Sequence, residues 1–172
     1  TGQPDAALPL LLEARAQTTD QAVLLTIHQQ IETAYLEKQD HVRAVEAAIE
    51  AGKLASEEER KKLEERVRDL LTSTTAEKDL RRIADRYGKS FPADAALLRL
   101  IELHEASGED HKISRDAREF LRQFSHHEKA ASVITMLTAQ RKKLRSKTHR
   151  IGALLPLSGQ LSPYGADALN GA

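Results

Sequence analysis

The chain of 172 residues carries 26 Lys and Arg against 26 Asp and Glu, so its formal net charge is zero at pH 7. A neutral balance argues against a surface devoted to nucleic acid or anionic membrane, because both need an excess of basic residues. The absence of Cys excludes disulfides, thiolate zinc sites and a Cys nucleophile. With aromatic residues at only 3%, the core must consist mainly of Ala, Leu, Ile and Val, which favours packed helices over a β-sandwich. No apolar run approaches the roughly 20 residues of a membrane span.

Apolar residues recur at three- and four-residue steps from residue 5 to about residue 145, the pattern of helices that bury one face. We predict about eight helices, over 4–17, 19–37, 40–52, 56–72, 75–87, 92–107, 110–124 and 126–145. A hydroxyl residue followed three residues later by Glu predicts capping boxes at Ser56, Thr74 and Ser125. Glycines after periodic segments predict C-caps at Gly52, Gly88 and Gly108. On the last helix the predicted apolar stripe is Ala130, Ile134 and Leu137.

Polar turns recur near residues 39–40, 74–75 and 108–109, and each is followed by a helix with small or apolar residues on one face. A spacing of 34 or 35 residues is the period of the tetratricopeptide repeat, a helix–turn–helix unit that stacks into a superhelix. The segment Ala34-Tyr35-Leu36-Glu37-Lys38-Gln39-Asp40-His41-Val42-Arg43-Ala44-Val45 resembles that repeat, although the repeat's Trp and Leu-Gly pair are missing. The resemblance covers about residues 19–140 and implies an all-α, right-handed superhelical domain over 1–147. An ordinary helical bundle with a chance spacing is the alternative.

The last residues have a different pattern. Residues 151–157 form a short continuous apolar run, as in a buried parallel strand, and residues 158–165 are rich in turn formers. Residues 166–172 have the composition of a helix start. We therefore predict the first strand, loop and helix of a second, α/β domain over 148–172, cut short at the end of the sequence.

The order Ile151-Gly152-Ala153-Leu154-Leu155-Pro156-Leu157-Ser158-Gly159, then Tyr164-Gly165 and Gly171-Ala172, resembles the start of type I periplasmic solute-binding domains. Branched-chain amino-acid binding proteins are members of that group. Ligands of open α/β sheets lie beyond the carboxyl ends of the strands, where this loop would be. The resemblance implies that Ser158, Gly159 and Tyr164 line a ligand pocket, which only the full-length protein could complete around a small ligand such as an amino acid.

A helical repeat region placed before such a domain is similar to the penicillin-binding protein activator lipoproteins of the bacterial envelope. That resemblance implies a non-enzymatic scaffold for protein–protein interaction, with a peptidoglycan synthase as one possible partner. The full-length protein would then be a periplasmic lipoprotein anchored in the outer membrane. The alternative is the solute-binding component of an amino-acid transporter of the ABC type, whose helical part is a spacer and whose partner is a transporter component.

Other candidate sites are weak. His104 and His111 lie two helical turns apart without a clear third ligand, so we predict no metal site. The sequence contains no nucleophile elbow, Walker A loop or dinucleotide-binding loop, so we predict no catalytic residues and no cofactor. The basic segment 141–150 is either a solvated helix end and linker or a contact for peptidoglycan, lipid or an acidic partner. It has no interleaved aromatic residues, so nucleic acid is not an expected partner.

Overall fold

The computed structural model describes the backbone of residues 4–147 and the side chains of residues 6–142. Within residues 4–147 there are eight helices and no strand, so the predicted all-α class is confirmed for this part of the chain. The helices are α1 (Pro4–Gln17), α2 (Gln21–Glu37), α3 (His41–Leu54), α4 (Glu57–Ser73), α5 (Glu77–Tyr87), α6 (Ala93–Ser107), α7 (Asp110–Gln123) and α8 (Ala130–Lys147). The first seven begin within two residues of the predicted positions, and all eight end within two. The predicted strand 151–157 and the rest of the 148–172 segment lie outside the described residues.

The chain divides into two units, Thr1–Gln140 and Arg141–Ala172. Helices α1 to α7 and the first part of α8 belong to the first unit. None of the helices described in residues 4–147 combines the length and the apolar character that crossing a bilayer would require.

One of the three predicted capping boxes is confirmed. The Ser56 hydroxyl accepts a hydrogen bond from the Glu59 N–H, and the Glu59 carboxylate accepts one from the Ser56 N–H at 3.0 Å. The prediction at Thr74 is wrong, because this residue ends α4: its hydroxyl donates to the Leu70 carbonyl at 2.9 Å, and α5 begins only after Ala76. Thr74 therefore satisfies a free carbonyl at a helix end instead of a free N–H at a helix start.

The capping box predicted at Ser125 is also wrong, and α8 begins at Ala130. Residues 125–129 form turns. The His127 ring packs edge-on against the Phe120 ring at 5.3 Å, and its Nδ1 accepts a hydrogen bond from the Lys129 N–H at 3.0 Å. This packing holds the segment in a turn and delays the helix by four residues.

Two of the three predicted glycine C-caps are confirmed. Gly88 and Gly108 end α5 and α6 with φ angles of 54° and 72°. Gly52 is instead inside α3, which continues to Leu54, and a Cβ added there would lie at an ordinary contact distance of 3.7 Å from Arg60 of α4.

Two clusters of buried apolar side chains form the core. The smaller cluster joins α1, α2 and α3, and the larger one extends from α3 to α8. Aliphatic residues dominate both, as predicted, and Phe120 is the largest fully buried side chain. The stripe predicted on α8 is wrong at Ile134, which is 53% exposed, because Val133 takes the inward position.

The helices pack mainly against their neighbours in sequence. Extensive contacts join α1 with α2, α2 with α3, α3 with α4, α5 with α6, and α6 with α7. Further contacts join α3 with α5 and α4 with α6, which are next but one along the chain. Contacts of this kind between near neighbours are typical of stacked helical repeats.

Candidate functional site

In the part of the chain that the structure describes, three pairs of hydrogen-bonded side chains lie 34 or 35 residues apart in sequence. For such residues to meet, the chain must pass through two turns and one further helix and return to an equivalent position. The repeat spacing found in the sequence therefore has a counterpart in side-chain contacts. The three pairs are Glu32–Arg66 between α2 and α4, and Glu77–Lys112 and Arg81–Asp116 between α5 and α7.

Asp116 lies at the centre of a polar cluster between α5, α6 and α7. Its side chain is fully buried and accepts hydrogen bonds from Arg81 and from Arg115, the latter at 2.7 Å. Arg81 also donates to Glu119 at 3.0 Å. A buried carboxylate is tolerated only when it is paired in this way, so Asp116 fixes the positions of both arginines. We call the polar cluster the set Glu77, Arg81, His104, Glu109, Lys112, Arg115, Asp116 and Glu119.

His104, in the last turn of α6, is the second buried member of the polar cluster, with a side chain that is 3% exposed. Its Nδ1 atom lies 2.8 Å from the Asp116 carboxylate, and its Nε2 atom lies 3.4 Å from Glu77 and 3.9 Å from Glu109. Neither ring nitrogen makes a hydrogen bond of good direction. Most buried polar atoms have a hydrogen-bond partner, so this imidazole is unusual.

Lys112 links the two carboxylates that face His104. Its Nζ atom lies 2.8 Å from Glu77 Oε2 and 3.1 Å from Glu109 Oε1. The hydrogen bond from Lys112, helped by His104, lowers the pKa of Glu77 from 4.5 to about 2. Hydrogen bonds from Lys112 and Ser107 lower the pKa of Glu109, and the two carboxylates raise the pKa of Lys112. All three groups are therefore charged at neutral pH.

An open apolar groove runs between α1 and α2 at the other end of the helical array, with a volume of about 630 Å³. Among the described residues that line it, Glu37 is the one that carries a charge, and Leu10 in its wall is 67% exposed. A groove with so little charge, next to an exposed large apolar side chain, is suited to apolar side chains of another molecule. The other lining residues are Ala7, Leu11, Thr26, Gln29, Gln30, Thr33 and Ala34.

A more polar cavity of about 510 Å³ lies among α1, α2, α3 and α5. Arg86 in its wall is paired with Glu46 at 2.9 Å, and the guanidinium of Arg43 lies 5.5 Å from the centre of the Tyr35 ring. Burial, together with the charge of Arg15, lowers the pKa of His28 in the same wall.

The predicted ligand residues Ser158, Gly159 and Tyr164 lie outside the described residues. The structure separates the two histidines considered in the sequence: His104 is buried and His111 is exposed on α7. His104 instead meets Glu77 and Glu109, which come from two other helix starts. A search for metal ligands spaced along one helix could not reveal Glu77, His104 and Glu109 together. Glu77 and Lys112, however, are 35 residues apart, and the period of 34 or 35 residues would have placed these two together.

Comparison of the chain with known protein families, with curated proteins and with solved structures finds no match.

Proposed function

We propose that the helical part of this protein is a tetratricopeptide-like scaffold for protein–protein interaction in the bacterial envelope. The observation that carries this proposal is the contact between side chains 34 or 35 residues apart, made once between α2 and α4 and twice between α5 and α7. Stacked repeats of this kind present extended surfaces, which they use for binding other proteins.

The apolar groove between α1 and α2 is the proposed docking surface, and a segment of a peptidoglycan synthase with an apolar helix face is its proposed occupant. Its lining is almost uncharged and includes the exposed Leu10, so burial of this surface favours association. Glu37 at the groove adds a preference for a partner with a basic residue beside its apolar face. No enzymatic step is part of this proposal.

In the full-length protein the scaffold would stand before a type I ligand-binding domain, in a periplasmic lipoprotein anchored in the outer membrane. This part of the proposal depends on the residues Ser158-Gly159 and Tyr164-Gly165. The same residues favour the second candidate function, an amino-acid binding component of a transporter.

Binding of a purified peptidoglycan synthase to the immobilised 172-residue chain tests the scaffold. We expect saturable binding that Leu10→Glu weakens at least tenfold, because it places a charge in the apolar groove. Val23→Glu is the matched control, since Val23 is also exposed, at 46%, but does not line the groove. Equal binding by both variants, or no binding by the unmodified chain, would contradict the proposal. For the transporter function, the full-length protein should release heat on titration with leucine, and Tyr164→Ala should abolish it.

A further inference from the structure

The polar cluster contains three potential metal ligands from three helix ends. Glu77 is the first residue of α5, His104 lies in the last turn of α6, and Glu109 is the N-cap of α7. One side-chain ligand atom from each lies within 4.8 Å of the other two. Carboxylates near one another are common on protein surfaces, so this distance alone would not indicate a site.

The second observation is the imidazole of His104. Its side chain is only 3% exposed, and Nε2 faces both carboxylates without making a hydrogen bond. A buried ring nitrogen beside two carboxylate oxygens and without a hydrogen bond lacks the partner that such atoms normally have. A cation between the three atoms would satisfy all of them at once.

We propose that Glu77, His104 and Glu109 bind a divalent transition-metal ion, with Zn²⁺ as the preferred one. This goes beyond the scaffold function and does not depend on it. One nitrogen and two carboxylate oxygens suit zinc better than Mg²⁺ or Ca²⁺, which prefer oxygen ligands alone. Tetrahedral ligands at zinc distances lie roughly 3.3–3.5 Å apart. The His104–Glu77 distance of 3.4 Å already has this value, and the His104–Glu109 distance of 3.9 Å is slightly longer.

Asp116 lies where metal-binding histidines usually have a supporting carboxylate. Its carboxylate lies 2.8 Å from His104 Nδ1, on the side of the ring away from the proposed ion. With Nε2 bound to a metal, Nδ1 would carry the proton and lie beside Asp116, with which it forms no well-directed hydrogen bond in the present geometry. A carboxylate behind the imidazole fixes the ring and makes it a more basic ligand.

Lys112 is the competitor for this site, because its ammonium group lies between the same two carboxylates. Its side chain is 36% exposed and can turn toward solvent when a doubly charged ion replaces it. This competition predicts that removing a positively charged residue increases metal affinity, which a purely structural salt bridge would not do.

The test is a titration of the untagged, chelator-treated 172-residue chain with ZnCl₂ in a calorimeter. We expect one ion per chain, and saturating zinc should raise the melting temperature because it binds the folded state. His104→Asn should weaken binding by about 10- to 100-fold or more, since it keeps a donor for Asp116 but has no atom at Nε2. Lys112→Met should tighten binding roughly two- to fivefold, the amount that an exposed ion pair contributes.

His111→Asn is the matched control, because this histidine is exposed on α7 next to Lys112 and is not one of the three ligands. It should leave both the affinity and the zinc-dependent rise in melting temperature unchanged. The proposal is overturned if zinc does not bind, if His104→Asn and His111→Asn have equal effects, or if Lys112→Met fails to tighten binding. The lysine variant decides the question even if His104→Asn does not fold, since Lys112 is on the surface.

Discussion

The substitution Arg81→Met is expected to destabilise the helical domain strongly. Arg81 donates to Asp116, whose side chain is fully buried, and its own side chain is only 24% exposed. Methionine keeps the apolar stem of the arginine but leaves the Asp116 charge with fewer partners. Removing one member of a buried ion pair costs about 3–5 kcal/mol.

The second arginine, Arg115, reduces the loss of stability expected for Arg81→Met. Arg115 still donates to Asp116 at 2.7 Å, so the carboxylate is not left unpaired, and we expect a loss of about 2–3 kcal/mol. For a chain of this length that corresponds to a fall of about 4–12 °C in melting temperature. Arg86→Met is the matched control, because Arg86 also pairs with a glutamate, Glu46, but is 57% exposed. An exposed pair of this kind contributes less than about 1 kcal/mol.

Urea unfolding followed by circular dichroism measures both variants under the same conditions. Unchanged helical content before the transition shows that each variant is folded. If Arg81→Met lowers the free energy of unfolding no more than Arg86→Met does, the Arg81–Asp116 pair is not the buried interaction described above, and the reasoning fails.

Three further predictions concern helix ends and pH. Gly52→Ala should raise the free energy of unfolding by about 0.5–1 kcal/mol, since Gly52 is inside α3 and the nearest atom to an added Cβ is at 3.7 Å. Gly108→Ala should instead lower it by about 1 kcal/mol, because Gly108 has a φ of 72°. Changes of the same sign in thermal unfolding would contradict this. Ser56→Ala should cost about 1 kcal/mol in urea unfolding through loss of the capping box, and no loss would show that the box is weak. Because the folded-state pKa of Glu77 is about 2 against 4.5, its stabilisation is complete above about pH 4.5 and is lost as the pH falls toward 2. Glu77 is 41% exposed, so this amounts to about 0.5–1 kcal/mol in acid unfolding, and Lys112→Met should remove most of it.

The helices were predictable because their signals are local. Periodic apolar residues and the Ser56 capping box depend on neighbours three or four positions away, and these contacts exist whatever the rest of the chain does. Both capping-box errors occur where a side chain contacts the preceding helix. Phe120 holds His127 in a turn and delays α8, and the Thr74 hydroxyl is used at the end of α4 rather than at the start of α5.

The polar cluster was not predictable in the same way. Within the sequence, His104 has a histidine seven residues later and no obvious third ligand, so a search for metal-binding spacing on one helix rejects it. Its actual neighbours Glu77 and Asp116 come from two other helices, and only the packing of α5, α6 and α7 brings them together. A charged residue such as Asp116, which the sequence would place on a solvated face, can thus be an interior residue when neighbouring helices cover it.

The two ion pairs between α5 and α7 also bear on how these two helices keep their alignment. Glu77 and Arg81 are one turn apart on α5, and their partners Lys112 and Asp116 are one turn apart on α7. The order of charges is opposite on the two helices. Sliding one helix by a turn would therefore place Glu77 beside Asp116, or Arg81 beside Lys112, and like charges repel in either case. This charge pattern penalises both alternatives, so the two ion pairs help to set the alignment of α5 with α7.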